Sequence, residues 1–252
     1  MKLYSPASGK GLRKFLLFSI ILISIGSSVF AQSQQRLSRN YPAGKNVRLE
    51  LRNISGTITV ETWAKDEIRI TAEMDTRKAT FNPRQTESGL VIDIVGDNRG
   101  KDVGDMNFKI QLPARSSVDL ETRSGQISVT NIQGELVRAH IWTSGDITLA
   151  NINAARVFAT NTIGDIYFDG EFASGGTYEF KSGKGNITLR LPANCGFRLV
   201  ATAPTKEIKM GPFWHPGMKL MGEGRRIIGD VGDGRASVTV TDYQGNINFL
   251  RR

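Results

Sequence analysis

Apolar and polar residues alternate in short stretches along most of the chain, and many of these stretches begin just after a glycine. In the segment TSGDITL, Ile147 and Leu149 alternate with polar residues directly after Gly145. Alternation with a period of two places apolar side chains on one face of a β-strand. Gly, Asn, Asp, Ser and Thr are frequent between the stretches, as is typical of turns. The pattern therefore predicts an all-β fold of many short strands.

This alternating stretch recurs along the chain with a nearly constant period. The glycines at 125, 145, 164 and 185 are spaced 20, 19 and 21 residues apart, and each precedes a polar residue and an isoleucine. Copies of the four-residue phrase are SGTI at 55–58, SGQI at 124–127, SGDI at 144–147, IGDI at 163–166, KGNI at 184–187 and QGNI at 244–247. A degenerate copy, TKEI, places Ile208 twenty-one residues after Ile187. A unit of this length is too short for a propeller blade and predicts one coil of a β-solenoid.

The stacking of such coils predicts where the apolar core lies. One coil cannot bury its own apolar face, whereas coils stacked at the strand spacing of about 4.8 Å bury a continuous column. The residue after each corner glycine varies among Thr, Gln, Asp and Asn, so we interpret Asp146 and Asp165 as structural residues of a turn, not as catalytic acids. The isoleucines expected in one inner column are Ile127, Ile147, Ile166 and Ile187.

The first 31 residues are typical of a secretory signal peptide. A basic segment precedes the apolar run FLLFSIILISI at 15–25, and small residues precede a cleavage site after Ala31. An uncleaved membrane anchor is the alternative, although this run is short for a span of about 20 residues. After cleavage we expect a periplasmic or secreted protein with no membrane span. The predicted organisation is a signal peptide at 1–31, a flexible N-terminus at 32–45, an N-terminal β region or first irregular coils at 46–115, and a β-solenoid at 116–252 with a loop at 209–235.

The basic charge of the chain is spread along its length. Of the 33 Lys and Arg residues, four lie in 1–31, which leaves 29 basic against 24 acidic residues in the remainder. A nucleic-acid-binding surface needs a clustered basic stripe, so we expect no nucleic-acid partner. The single cysteine, Cys195, allows no internal disulfide and is interpreted as a small buried residue.

The segment 209–235 interrupts the repeat with seven glycines and two prolines, and it holds the candidate binding residues. Aromatic and basic side chains are enriched where proteins contact partners. The alternative interpretation is a loop whose apolar residues cover the open end of the β column. The candidate partner-binding residues are Phe213, Trp214 and His215 as an aromatic contact, with Arg225 and Arg226 as anion-binding residues.

Candidate catalytic and metal-binding residues are sparse. A polysaccharide-active enzyme would need clustered carboxylates along one groove. The candidates for such a groove are Asp146, Asp165 and Asp169 on stacked coils, with Arg138 or Arg156. His140, on an alternating strand with its side chain expected to be exposed, and His215 are isolated from each other and from Cys195, so we expect no metal site and no cofactor.

The repeated S-G-x-I phrase, the LPA segment at 191–193 and the closing GDGRASVTVTDYQGNI at 232–247 carry a resemblance to a known family. Over roughly 46–250, the chain resembles the bacterial β-strand-repeat "putative adhesin" family of unknown function. The resemblance implies an exported right-handed parallel β-helix, or a closely related β-roll, and brings no catalytic residues with it.

These observations favour an exported, non-enzymatic β-solenoid of the cell envelope that acts as a binding or adhesin-like scaffold. Its expected partner is an envelope protein or a glycan. Two alternatives stay open at this point: a polysaccharide-active β-helix enzyme, either a lyase or a hydrolase, and an envelope-stress accessory protein.

Overall fold

Strands make up most of the residues that the computed structural model describes, which are 35–74 and 79–252. The predicted signal peptide at 1–31 lies outside the described residues. The helical segments are short: α1 at Ile94–Asp97 and one 3-10 turn at Gly211–Phe213. The strands are β1 Gln35–Pro42, β2 Arg48–Asn53, β3 Thr57–Trp63, β4 Glu67–Met74, β5 Arg84–Gln85, β6 Gly89–Asp93, β7 Met106–Pro113, β8 Ser117–Thr122, β9 Gln126–Thr130, β10 Leu136–Ser144, β11 Ile147–Ile152, β12 Arg156–Ile163, β13 Ile166–Gly170, β14 Thr177–Lys184, β15 Ile187–Leu191, β16 Phe197–Thr202, β17 Ile208–Lys209, β18 Lys219–Met221, β19 Arg226–Val231, β20 Ala236–Asp242 and β21 Ile247–Arg251.

The strands form two sheets, and each coil contributes one strand to each sheet. The first sheet has ten strands in the order β1-β4-β7-β3-β9-β11-β13-β15-β21-β17. The second has eleven in the order β18-β19-β16-β20-β14-β12-β10-β8-β2-β6-β5. Pairing is parallel through the middle of both sheets and antiparallel only near their ends. This arrangement confirms the predicted all-β solenoid.

The predicted inner column of isoleucines is confirmed. Ile147 pairs with Ile127 on one side and with Ile166 on the other, and Ile166 pairs in turn with Ile187. All four side chains are buried. The column continues through Ile58 beyond one end of this series.

The corner glycines lie too close to the neighbouring coil for any side chain. Gly145 has a φ of +146°, a conformation that side-chain-bearing residues rarely adopt. A Cβ atom on Gly145 would overlap the carbonyl oxygen of Gly125, and one on Gly164 would overlap the carbonyl oxygen of Gly145. The same contact repeats along the column from Gly56 to Gly245. Glycine is therefore required at this corner by both backbone conformation and close approach.

The polar residues after the glycines bind the backbone of the next coil. The Asp146 carboxylate accepts a hydrogen bond from the Asp165 N–H at 2.8 Å. The Asp165 carboxylate accepts one from the Asn186 N–H at 2.7 Å, and Asn186 accepts one from the Asn246 N–H at 3.2 Å. Each side chain thus accepts a hydrogen bond from a backbone N–H at the corner of the next coil. The aspartates of the repeated phrase are parts of a turn, as was predicted because asparagine or glutamine takes their place in other copies of the phrase.

The order of the last coils differs from the sequence period. Ile247 of β21 pairs with Ile187, and Ile208 pairs with Ile247 on its other side. The final two strands therefore insert between the coil of β14 and β15 and the coil of β16 and β17. They lie in different sheets and do not form a hairpin with each other.

Two boundaries predicted from composition are wrong. The segment 32–45 was expected to be flexible, but β1 occupies 35–42 and pairs antiparallel with β4, with Leu37 packed against the core. The segment 209–235 was expected to be a loop, but it contains the antiparallel hairpin of β18 and β19, which pairs with β16. In both places the strand forms because its backbone pairs with a strand that is distant in sequence, and the local sequence does not predict such a partner. The region 46–115 supplies coils of the same stack, because β2 and β3 pair with β8 and β9.

A second, buried polar column lies just before the corners. Its members Asn161, Ser182 and Asp242 are neighbours in the second sheet and are almost completely buried. Asn161 and Ser182 donate to the carbonyl oxygens of Gly145 and Gly164, at 3.0 and 3.3 Å. Asp242 is the charged member of this set, and its Oδ2 has no hydrogen-bond partner. Burial raises the pKa of the Asp242 carboxyl to about 6.

The corner contact predicts a large loss of stability for Gly145→Ala. The added Cβ both strains the backbone and displaces the neighbouring coil, so the free energy of unfolding should fall by about 2 kcal/mol or more. Gly175→Ala is the matched control, because Gly175 also has a positive φ of +76° but has nothing within 4 Å of the added atom. The control should lose only about 1 kcal/mol. Urea unfolding of both variants measures the difference, and equal losses would show that close approach does not matter.

The raised pKa predicts a pH-dependent effect of Asp242→Asn. The folded-state pKa of the carboxyl is above the unfolded value of about 3.9, so the folded protein keeps this proton to a higher pH than the unfolded chain does. The protonated carboxyl therefore contributes its full stabilisation below pH 4, and this contribution is lost as the pH rises through 6. The asparagine stays neutral and keeps the acceptor for the Gln244 N–H. The variant should match the wild type at pH 4 and exceed it by about 1–2 kcal/mol at pH 8.

The reciprocal change, Asn161→Asp, provides the control for this prediction. It introduces a carboxyl at an equivalent buried position, so it should lose more stability at pH 8 than at pH 4. Chemical denaturation at the two pH values measures both variants. If the free energy of unfolding of the Asp242→Asn variant equals that of the wild type at every pH, the buried carboxyl does not control stability.

Candidate functional site

The two sheets end at different strands, and this difference creates a cleft at one end of the stack. Beyond β16, the second sheet continues with β19 and β18. The first sheet ends at β17, which is only two residues long. The space opposite the β18–β19 hairpin is a cleft of about 970 Å³. It lies where a further strand of the first sheet would otherwise be, and we call it the end cleft.

Apolar and charged side chains both line the end cleft. Ile208 of β17 faces Leu220 and Ile227 of the hairpin across it. Leu220 is 52% exposed, whereas Ile227 is buried and forms part of the floor. Lys209 and Arg225 also line the cleft, each with a nearby glutamate at 3.4 and 3.7 Å respectively. Such exposed ion pairs are weak, so these charged groups are available to a ligand.

One edge of β17 faces the end cleft without a strand partner. Among the described residues, β17 pairs only with β21. The Glu207 carbonyl accepts from the Ile247 N–H at 3.0 Å, on the side of β21. Because successive residues of a strand direct their backbone groups to opposite edges, the N–H and C=O of Ile208 point toward the cleft. The cleft therefore offers a backbone donor and acceptor beside its apolar side chains.

Phe213 does not line the end cleft, but it lines a neighbouring cavity of about 750 Å³ together with Trp214 and His215. The side chain is 5% exposed. Its ring centroid lies 6.1 Å from that of Phe197 and 6.5 Å from that of Phe249, both core residues. Phe213 covers the end of the apolar column, as the alternative interpretation of this segment stated.

Trp214 lies on the ridge between two cavities. It is 45% exposed and lines both the end cleft and a neighbouring cavity of about 750 Å³. His215 lines only that neighbouring cavity, where its Nδ1 accepts a hydrogen bond from the Gly217 N–H at 3.0 Å. The two residues are adjacent in sequence, but only Trp214 is placed to contact a ligand in the end cleft.

The two arginines of the predicted site share one cavity, but only one of them reaches the end cleft. Arg225 and Arg226 both line a shallow cavity beside Met221, and Arg225 also lines the end cleft. The end cleft thus brings together Trp214 and Arg225 of the predicted set. It adds Leu220, which was missed because a segment predicted to be a loop does not indicate which way its apolar side chains face, and Ile208, which was predicted only as part of a repeat copy.

The carboxylates proposed for an enzyme groove do not converge. Asp146 and Asp165 bind corner N–H groups, as described above. Asp169 forms ion pairs with Arg190 and Arg252, the first at 3.2 Å. Arg138 pairs with Asp119, and Arg156 with Glu135, on the second sheet. These groups hold neighbouring coils together, and no shared groove joins them.

The histidines and the cysteine are also separate. His140 is half-buried and stacks on Trp142, and burial lowers the pKa of its imidazole. Cys195 is partly buried, and burial raises the pKa of its thiol to about 11, which disfavours the reactive thiolate. Within the two described ranges, no group of three or more His, Cys, Asp or Glu side chains is placed to hold a metal ion.

None of the helices in the described residues is long and apolar enough to cross a membrane.

Solved structures of two bacterial proteins resemble this chain. A "putative cell adhesion protein" from Clostridium sporogenes matches with a TM-score of 0.54 and 14% identity, over 87% of this chain and 100% of that one. A "putative adhesin" from Bacteroides fragilis matches with a TM-score of 0.33 and 12% identity, over 87% of this chain and 99% of that one. At 14% identity, the likeness to the first of these structures shows the fold alone. No curated protein matches the chain significantly in sequence.

A family model supplies the assignment that these distant structures cannot. The model described as Toastrack DUF4097 matches residues 42–249, which include all the coils of both sheets. The match covers most of the chain and agrees with the resemblance noted from the repeated phrase. The chain therefore belongs to the Toastrack DUF4097 family.

Proposed function

We propose that this protein is an exported, non-enzymatic binding protein of the cell envelope, an adhesin-like scaffold whose partner docks in the end cleft. The observation that carries the proposal is the early end of the first sheet, which leaves the β17 edge open beside the hairpin of β18 and β19. A preformed cleft with exposed apolar and basic groups is suited to recognition.

The partner proposed for the end cleft is an extended segment of an envelope protein. Such a segment would add a strand to the open edge of β17, with hydrogen bonds to the N–H and C=O of Ile208. Its side chains would contact Trp214 and Leu220, and Arg225 would favour a segment with acidic residues. Main-chain pairing would supply affinity, and the side-chain contacts would supply selectivity.

Two further observations support this proposal. The solved structures that resemble the fold carry names that refer to cell adhesion. The basic, apolar and small-residue segments at 1–31 are typical of export, which would place the protein in the periplasm or outside the cell. The proposed catalytic carboxylates are engaged in contacts between coils, which favours the binding role over the polysaccharide-cleaving alternative.

The proposal predicts that Trp214→Ala combined with Arg225→Ala weakens partner binding at least tenfold, or about 1.4 kcal/mol. The immobilised protein would capture partners from solubilised envelope proteins, and each captured partner would be purified and its affinity measured by calorimetry. Trp142→Ala is the matched control, because it removes a similarly exposed tryptophan far along the stack and should leave this affinity unchanged.

Ile208→Pro tests the strand-addition component. The substitution removes an N–H that faces the cleft and spares the hydrogen bond between Glu207 and Ile247. Binding should fall at least tenfold while circular dichroism retains the β signal. Affinity that is unchanged in both the double variant and Ile208→Pro would exclude the end cleft as the binding site. Turnover of an acidic polysaccharide by the protein would contradict the non-enzymatic assignment.

A further inference from the structure

Two aromatic side chains stand out on the outer surface of the second sheet. Trp142, at the end of β10, is 55% exposed, and Tyr243, directly after β20, is 48% exposed. Large aromatic side chains that remain exposed on a folded surface mark binding sites more often than isolated aliphatic ones do. Neither residue takes part in the core or in the end cleft.

The register of the sheet places these rings in one row. The preceding residues Ile141 and Asp242 belong to the same column, and β12 and β14 lie between them. The register of β10 and β12 shifts by one residue between Ile141 and Ser144, and the Thr162 hydroxyl donates to the Trp142 carbonyl at 2.7 Å, which places Thr162 beside Trp142. Gly183 of β14 precedes Tyr243. Three strand-to-strand steps separate the backbones of Trp142 and Tyr243, or about 14 Å.

The two positions between the rings hold small residues, so the row forms a shallow trough with an aromatic wall at each end. Thr162 is exposed, and Gly183 has no side chain. A Cβ atom on Gly183 would lie 2.5 Å from the Thr162 carbonyl oxygen, so larger residues do not fit without movement of the coil. The depth of the trough is therefore fixed by backbone packing between coils.

The indole of Trp142 is held in place before any ligand arrives. Its Nε1 donates to the Glu121 carboxylate at 2.6 Å, and its ring centroid lies 4.3 Å from that of His140. The two rings are tilted by 35° to each other, and the indole remains 55% exposed. Such fixed aromatic rings lose little conformational entropy on binding.

The Tyr243 end of the trough is polar and basic, whereas the Trp142 end also holds the Glu121 carboxylate. Thr160 and Thr241 occupy the adjacent row, on either side of Lys181. The Lys181 ammonium lies 5.8 Å from the centroid of the Tyr243 ring, and Lys184 is exposed on the same strand. Protein partners favour enclosed apolar pockets, whereas this surface combines separated aromatic faces, hydroxyl groups and two ammonium groups.

We propose that this trough, from Trp142 to Tyr243, is a second binding site that accepts an oligosaccharide bearing carboxylate groups. The electron-rich faces of the aromatic rings attract the C–H faces of sugar rings, much as they attract other positively polarised groups. The threonine hydroxyls exchange hydrogen bonds with sugar hydroxyls, and Lys181 and Lys184 pair with the carboxylates. The ligand lies across the strands, so that one chain contacts both rings.

The test is an array of defined oligosaccharides probed with the purified protein. The acidic members are oligogalacturonates, alginate oligomers, hyaluronan oligosaccharides and peptidoglycan glycan strands, and the neutral members are chito-oligosaccharides. We expect binding to at least one acidic member, and weaker binding to neutral chains of similar length. No binding to any acidic member at millimolar concentration would overturn the proposal.

Calorimetry on the best acidic ligand then locates the site. Trp142→Ala and Tyr243→Ala should each weaken binding at least tenfold, whereas Tyr243→Phe should retain it because the ring is preserved. Lys181→Ala combined with Lys184→Ala should weaken binding and reduce its dependence on salt. Trp142 and Tyr243 are exposed, so these variants should fold, which circular dichroism checks.

Trp214→Ala is the matched control, since it alters the end cleft and should leave oligosaccharide affinity unchanged. Affinity that survives both Trp142→Ala and Tyr243→Ala would exclude the trough. Because the end cleft and the trough are probed by different variants and different ligands, either proposal can fail without the other.

Discussion

The contact between corner glycines of successive coils is the constraint on which the rest of the structure depends. Each glycine backbone lies against the glycine carbonyl of the next coil so closely that no side chain fits between them. This contact sets all the coils in one register, and a shift of one residue would turn each apolar side chain from the core to the surface. The isoleucine column, the carboxylate and amide ladder at the corners and the buried polar column are three consequences of that single register. Hydrogen bonds such as that from the Asp165 N–H to Asp146 then satisfy the donors exposed by the turn.

A shared register also makes the coils geometrically interchangeable, which explains why their spatial order departs from chain order at both ends. The coil of β20 and β21 inserts beneath that of β16 and β17, and the coil of β2 and β3 inserts beneath that of β6 and β7. An outermost coil has one uncovered side, and each end closes it differently. Phe213 and the β18–β19 hairpin close one end, while β1, β4 and the segment around α1 close the other. Since the hairpin extends only the second sheet, the end cleft is a direct result of how that end is closed.

The sequence was sufficient to predict features that repeat and insufficient for those that occur once. Ile127, Ile147, Ile166 and Ile187 were predictable as neighbours because period and alternation both point to them. The position of Ile208 was not, since a corner that fits on Ile187 fits equally well on Ile247. Trp214 and Arg225 were identified from residue type alone, and the same reasoning included Phe213, whose side chain is mostly buried, because composition does not distinguish a cover for the core from a contact for a ligand. Strand β1 was missed because its partner β4 lies about 30 residues away and its own sequence is polar.

The same constraint determines where a solenoid of this kind can carry function. Inward positions are fixed by packing and corner positions by the glycine contact, so only outward rows and the ends of the stack are free to differ from coil to coil. The row that contains Trp142, Thr162, Gly183 and Tyr243 shows this freedom, since four equivalent positions hold four different residues. The end cleft uses the other source of variation, the segment that closes the last coil. Because the row lies on the outer face of the second sheet and the cleft lies at its edge, ligands at the two sites do not compete for the same residues. With the proposed peptide-binding edge and the proposed glycan-binding face on one stack, the protein would bridge two components of an envelope, and two simultaneous weak contacts give much higher avidity than either contact alone.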